Sequence, residues 1–269
     1  MPEAVLTRLQ KLLQEPNGII IVCGPTGSGK TTTLYATLQE LDKIHSNILT
    51  VEDPIEYQLP DIGQIKVKPK IGLTFASGLR HILRQDPDTI LIGEIRDLET
   101  AEIAIQASLT GHLVFSTLHT NDAPSAVIRM VDMGIQPYLL AASLRAVLAQ
   151  RLIRKLCPVC RVETQFNDND PTTPESIRKT LNNKTIWKAK GCSKCLDGFS
   201  GRTGLFELML IDQNLSETVR AGQTNTDKIR QMAVENGMTT LLNDGISRVL
   251  QGQTSLSEVL RTLGKKDSR

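Results

Sequence analysis

Apolar and polar positions follow two alternating rhythms along the first two-thirds of the chain. Gly18–Cys23 (GIIIVC) is short, β-branched and apolar throughout, the pattern of a strand buried on both faces rather than of a helix. A glycine-rich turn separates it from 30–41, a predicted helix. Ile48–Val51 reads as a second strand, stopped by Asp53-Pro54. A polar excursion containing 62–67 follows. The run 74–84 then sets Phe75, Leu79, Ile82 and Leu83 on one helical face, with Arg80 and Arg84 on the other. Thr89–Ile92 and His112–Leu118 are further strands, separated by a helix from about Glu99 to Leu109. This alternation predicts an α/β fold, a mostly parallel sheet with helices on both faces.

The rhythm fades at Arg151. Residues 161–190 are rich in Asn, Thr, Asp and Pro and read as a loop or small excursion. Beyond Asp212 the chain reads helical again, with Ser255 and Glu258 at capping-box spacing and Gly264 placed to end the last helix. The apolar stretch 135–152 is broken by Gln136, Arg145, Gln150 and Arg151, so it is not a membrane span. The first sixteen residues lack the apolar block of a secretory signal. With 31 basic and 29 acidic residues the net charge is +2, and the few aromatics are scattered. No global field and no stacking platform invite nucleic acid.

Candidate chemistry sharpens this picture. Gly24-Pro25-Thr26-Gly27-Ser28-Gly29-Lys30-Thr31, followed by Thr32, fills the phosphate-loop pattern between a buried strand and a helix. The glycines let backbone N–H groups turn inward around an anion, and the helix adds the positive end of its dipole. Lys30 would reach the β- and γ-phosphates of ATP and Thr31 would ligate Mg²⁺. Thr89–Ile92 leads to Gly93-Glu94, which puts Glu94 at the carboxyl edge of the sheet. Gly93 stands where an aspartate is usual, so Glu94 is expected to serve the Mg²⁺ shell. Glu52, Asp53 and Glu56 follow the second strand, and one of them is a natural base for an attacking water; solvated acids around an Asx turn are the alternative. His112 and His119 bracket a strand at an odd separation, so one is expected to sense the γ-phosphate while the other is structural.

The chain has five cysteines. Cys157-x-x-Cys160 and Cys192-x-x-Cys195 are two chelating pairs separated by 31 residues, the signature of a closed tetrahedral Zn²⁺ site. Disulfides or a redox pair are the alternatives, although a redox motif does not come doubled. Cys23, on the strand before the phosphate loop, reads as a small buried hydrophobe.

Taken together, GPTGSGKTT at 24–32, ILTVEDPIEY at 48–57, LRQDPDTILIGEIRDLETAEIA at 83–104, GHLVFSTLHTNDA at 111–123 and LAQRLIRKLCPVC at 148–160 resemble the motor half of the secretion ATPase superfamily. The resemblance is to its type II secretion and type IV pilus assembly ATPases (the general secretory pathway protein E family). It implies a RecA-like core with Walker A, an aspartate box, a glutamate-bearing Walker B and a histidine box. Glu56 is then the water-activating base, Glu94 the Walker B acid, and His112 and His119 the γ-phosphate-sensing box. The family implies a homo-hexamer in the cytoplasm, peripheral to the inner membrane. It docks on an inner-membrane platform with cytoplasmic adaptor proteins and powers pseudopilus or pilus assembly, and no nucleic-acid partner is expected. Many members carry a tetracysteine metal subdomain.

The organisation expected is a core over 1–156, a tetracysteine subdomain over 157–205 and a helical region over 206–269. Family members carry a further domain before the phosphate loop that supplies arginines to a neighbouring active site. Only 23 residues precede Gly24 here, so a fragment that binds ATP and hydrolyses it slowly is expected. A nucleic-acid translocase with a zinc ribbon and a nucleotide-gated adaptor are the rival functions. Segment 161–190, with six basic and four acidic residues and two aromatics, is a poor footprint for the first.

Overall fold

In a computed structural model, which describes residues 1–166, 173–223 and 225–264, the predicted rhythm becomes a seven-stranded sheet ordered β3-β2-β4-β5-β1-β6-β9. β1 (Gly18–Cys23), β4 (Thr89–Ile92) and β5 (Leu113–Leu118) are buried at every position. Both sides of each side-chain alternation are therefore covered, as the continuous apolar runs require. β1 pairs in parallel with β5 and with β6 (Leu144–Leu156); β2 (Ile48–Glu52) pairs in parallel with β4 and with β3 (Gly63–Lys66). The shared direction puts the carboxyl ends of β1, β2, β4 and β5 on one edge, where the phosphate loop and the candidate acids follow.

The chain forms two units, one of Met1–Gln150 with Leu208–Met238 and the other of Arg151–Glu207 with Thr239–Arg269. The boundaries fall inside β6 and inside β9 (Phe199–Leu210). In the first unit α2 (Lys30–Gln39) and α4 (Leu98–Leu109) pack on β1, and α3 (Phe75–Ile82) packs on β2 with Phe75, Leu79 and Ile82 buried. Arg80 leaves the opposite face of α3 to pair with Glu99 at 2.7 Å. The helical tail is shared: α8 (Gln213–Arg220) and α9 (Thr226–Glu235) belong to the first unit, α10 (Leu241–Leu250) and α11 (Leu256–Leu263) to the second.

The reading of 161–190 as a loop excursion is corrected. β7 (Val162–Gln165) pairs antiparallel with β8 (Thr185–Lys188), and α7 (Glu175–Leu181) lies between them. Ile177, Leu181 and Ile186 are buried, and Arg161 lies 5.7 Å from the centre of the Trp187 ring. Elements this short carry too few apolar positions to show a period, so only tertiary burial reveals them. Residues 167–172 of that segment lie outside the described residues. The apolar stretch 135–152, read only as too polar for a membrane, holds α6 (Pro137–Ser143) and the start of β6. No helix among the described residues is long and apolar enough to cross a membrane.

At the end of the second unit, Ser255 Oγ accepts the N–H of Glu258 at 3.2 Å and Gly264 ends α11. The carboxylate does not close the capping box, because it is taken elsewhere. Glu258 is 1% exposed; it accepts from Arg154 N, Nε and Nη2 (3.1, 3.0 and 2.7 Å) and from Arg261 Nε and Nη2 (2.9 and 2.8 Å). Burial pushes its pKa up, but the Arg261 and Arg154 guanidiniums outweigh burial and bring it down to about 2. A folded pKa below the unfolded one means stabilisation that is complete above about pH 4.5 and lost as pH falls toward 2. Glu258→Gln is expected to cost about 3 kcal/mol at neutral pH. In urea unfolding, the gap from wild type should narrow across that acid window.

Candidate functional site

The phosphate loop takes the shape its glycines allow. Gly24, Gly27 and Gly29 have φ of 152°, 77° and 88°, values that L side chains resist. At Gly24 space forbids a side chain as well, since a Cβ would stand 2.5 Å from the Gln150 carbonyl oxygen and 2.6 Å from Ser28 Oγ. Lys30 is buried, its Nζ 2.9 Å from Gly24 O and 3.1 Å from Pro25 O. α3, α4, α5 (Ala123–Asp132) and α8 to α11 each begin on a side chain that accepts a first-turn N–H. α2 begins on Gly29 with no side-chain cap, as do the helix Glu3–Leu12, α6 and α7, but at α2 the uncapped end closes the phosphate loop. A capping oxygen there would occupy the place an anion takes at a helix N-terminus.

That loop forms one wall of a pocket of about 580 Å³, a size that suits a small ligand. Of the residues predicted from the sequence, Thr26, Gly27, Gly29, Lys30, Thr31, Thr32, Glu52, Asp53, Glu56, Glu94 and His119 line it. Gly24, Pro25 and Ser28 shape the loop from behind. Ser28 Oγ is buried without a hydrogen-bond partner. An uncapped helix end, a buried lysine and an orphan hydroxyl fit a phosphate chain. Thr31 and Glu94 are oxygen donors of the kind Mg²⁺ takes.

The three acids after β2 separate by environment. Glu52 is 3% exposed, and its carboxylate accepts from Tyr35 Oη, from Thr50 Oγ1 at 2.6 Å and from Gln64 Nε2 at 3.0 Å. All three line the pocket, but Asp53 and Glu56 are exposed. A carboxylate committed to three donors is a structural anchor; an exposed one can take a proton from water. Glu94 is buried, pairs with Arg96 and lies 3.5 Å from His119 Nε2. The glycine before it stands in a close-packed place. A Cβ on Gly93 would lie 3.3 Å from the Phe75 ring, 3.3 Å from Val51 O and 3.4 Å from Glu52 Cα.

His112 is not brought into the pocket. It precedes β5, with Nδ1 2.8 Å from Ala107 O and 3.4 Å from Thr110 Oγ1, whereas His119 follows the strand. At about 3.3 Å per residue over seven residues, the strand holds the two roughly 23 Å apart. Beyond His119, Asp122 caps α5 through Ser125 N at 2.8 Å and accepts from Arg230 Nη2 at 2.8 Å. Burial pushes the Asp122 pKa up, but the bonds from Ser125 and Arg230 prevail and hold it below its ordinary value.

The second unit brings Cys157, Cys160, Cys192 and Cys195 together, their sulfurs all within 4.8 Å of one another. Cys160 Sγ is 3.7 Å and Cys192 Sγ 3.6 Å from Cys195 Sγ, and all four are free thiols. A tetrahedron with metal–sulfur bonds of about 2.3 Å needs sulfurs about 3.8 Å apart, so the donors fit a closed four-thiolate site. N–H groups of Val159 and Cys160 on the Cys157 sulfur help bring its pKa down to about 7. Burial and the neighbouring sulfurs push Cys160 up to about 12. Cys23 is buried in β1, as expected.

Sequence reasoning missed Gln150, Tyr35 and Gln64. Gln150 is 3% exposed; its Nε2 donates to Ser28 O at 2.7 Å and its Oε1 accepts from Thr33 Oγ1 at 2.7 Å, bracing loop and helix together. An amide interrupting an otherwise apolar strand was the available signal. For Tyr35 and Gln64, which meet only in space, the sequence carried none.

Comparison with known proteins follows the same lines. The chain is 53% identical over 262 residues to the Type II secretion system protein HxcR of Pseudomonas aeruginosa, covering 97% of this chain and 52% of that protein. It is 51% identical over 255 residues to the Type II secretion system ATPase E of Vibrio cholerae, covering 94% and 50%. The chain thus spans about half the length of the curated relatives it matches. The pilus retraction motor PilT with bound ADP matches at a TM-score of 0.73 and 29% identity, over 99% of this chain and 66% of that one. The Legionella pneumophila ATPase DotB, at 22% identity and a TM-score of 0.70, shares the fold. The family model for Type II/IV secretion system protein matches residues 1–261, and the chain belongs to that family.

Proposed function

We propose that this chain is the ATP-hydrolysing motor part of a secretion or pilus-assembly machine. The observation that carries the reading is the single pocket in which Lys30, Thr31, Glu56, Glu94 and His119 converge beside an uncapped helix end. Lys30 and the inward N–H groups of 24–31 bind the triphosphate. Thr31 and Glu94 hold Mg²⁺, which when bound neutralises charge on the phosphate oxygens. Glu56 aims a water at the γ-phosphorus and accepts its proton, and His119, at the end of β5, faces the terminal phosphate. His112 has a structural role at the other end of that strand.

The reading extends to the whole machine. Zn²⁺ occupies the four-cysteine cluster and stiffens a surface subdomain. The catalytic core, tetracysteine subdomain and helical region over 1–156, 157–205 and 206–269 act as parts of one subunit. That subunit works in a homo-hexamer on the cytoplasmic side of the inner membrane, with platform and adaptor proteins. Similarity to type II secretion system proteins and to a pilus retraction motor with bound ADP supports it.

Glu56→Gln separates a motor from a nucleotide-gated adaptor. ATP affinity should stay within about twofold while phosphate release falls by about 10²-fold or more. Hydrolysis at the wild-type rate in this variant would remove Glu56 from the chemistry.

A further inference from the structure

Beside the exposed acids, Tyr35, Glu52 and Tyr57 also line the pocket wall, and with Gln64 they form a polar cluster that ATP chemistry does not by itself require. Tyr35 sits on α2, the helix that begins with Lys30 and Thr31, and is 0% exposed. Its hydroxyl donates to Glu52 and accepts from Glu56 N–H at 3.4 Å and from Gln64 Nε2 at 3.4 Å. One donor and two acceptor sites are all a phenol has, and all are used. Gln64, on the neighbouring β3, accepts Leu59 N–H at 2.7 Å and donates to Tyr57 O at 3.3 Å. The Tyr57 ring stands edge-on to Tyr35, centres 4.7 Å apart at 82°. The segment carrying Glu56 is therefore tied to α2 by a hydroxyl and a ring, and to β3 by an amide. Burial and the Glu52 carboxylate push the Tyr35 pKa well above its ordinary value, so the hydroxyl keeps its proton and its role as donor.

We propose that Tyr35 is a positioning residue for Glu56: its hydroxyl ties the backbone of the acid to the helix that follows the phosphate loop, and so fixes where the acid stands relative to the bound phosphates. The proposal rests on the reading of Glu56 as the base. It assigns Glu52 to the anchor rather than to proton transfer. It also explains why a phenol stands in the first turns of α2 where any apolar side chain would fill the space. Displacement of a reacting group by about 1 Å can cost as much as 10²-fold in rate, so a loosened segment should reduce chemistry and leave binding alone.

The test is single-turnover hydrolysis of radiolabelled ATP by this chain, together with equilibrium binding of a fluorescent ATP analogue. Tyr35→Phe keeps the ring against Tyr57 and removes one oxygen. Its affinity should stay within twofold while its rate falls by about 10- to 100-fold. Tyr35→Phe combined with Glu56→Gln should be no slower than Glu56→Gln alone, since Tyr35 acts only through Glu56. A wild-type rate for Tyr35→Phe alongside an impaired Glu56→Gln overturns the proposal alone. So does a double variant that loses the product of the two factors, or an affinity that falls in step with rate. A wild-type rate for Glu56→Gln overturns the base assignment and the proposal with it. Should Tyr35→Phe fail to fold, Gln64→Ala loosens the same segment from half-exposed β3. The same split between rate and affinity is expected there, and a wild-type rate overturns the proposal.

Discussion

Chelating the metal from the four-cysteine cluster is expected to melt the loops 157–160 and 191–198 while leaving ATP affinity within about twofold. Apart from buried Cys157, whose N–H donates to Gly198 O at 2.8 Å, and the Leu196–Phe199 bridge, these loops bury little. Cys160, Cys192 and Cys195 are half-buried, and Val159 and Leu196 point 64% and 77% into solvent. Structural zinc contributes about 10–16 kcal/mol of apparent binding free energy, far more than such loops gain from apolar burial. The β7–β8 pair and α7 keep their own buried Ile177, Leu181 and Ile186, so loss of order should stop short of them. The pocket residues belong wholly to the first unit. Hydrogen exchange before and after chelation, with Cys157→Ser as a control, reads the effect. Unchanged protection in both loops would mean that no structural metal is held. Loss of ATP binding would mean that the two sites are not separable.

Lys30→Ala should lower ATP affinity by about 10²-fold or more and bring hydrolysis to background. The ammonium is a buried cation whose partners include two carbonyl oxygens of its own loop. A charge-assisted bond to phosphate replaces them on binding, worth about 1.5–3 kcal/mol for one contact and more where water is excluded. Lys30→Arg should not rescue, because the planar guanidinium cannot follow the amine into the turn closed by Gly24 and Pro25. Equilibrium binding with a fluorescent analogue is the direct measurement. Retained affinity in Lys30→Ala would place the nucleotide elsewhere.

How much of this was legible depended on how local each signal is. β1, β4 and α2 stand where the apolar runs and the glycine turn put them, because a fully buried strand needs an unbroken run and the loop needs glycine at fixed offsets. The cysteine pairs were legible for the same reason, since each half of the site is a four-residue motif. Among the three acids the order along the chain was silent. What separates Glu52 from Glu56 is a tyrosine from another helix and a glutamine from another strand. At Gly93, a gap in the motif along the chain, the structure shows close packing against the Phe75 ring and the β2 backbone.

From the order of residues alone came the parallel α/β sheet, the anion-binding turn and the four-thiolate set. Each of these is written in neighbours a few positions apart, where covalent spacing and backbone sterics leave few options. Tertiary structure decided which of the carboxylates after β2 is buried and bonded and which stay exposed in the pocket, which histidine reaches it, and what braces the loop from β6. Those outcomes depend on groups far apart along the chain meeting where water is scarce. There a buried acid must be fully hydrogen-bonded, and an exposed one is left free to react.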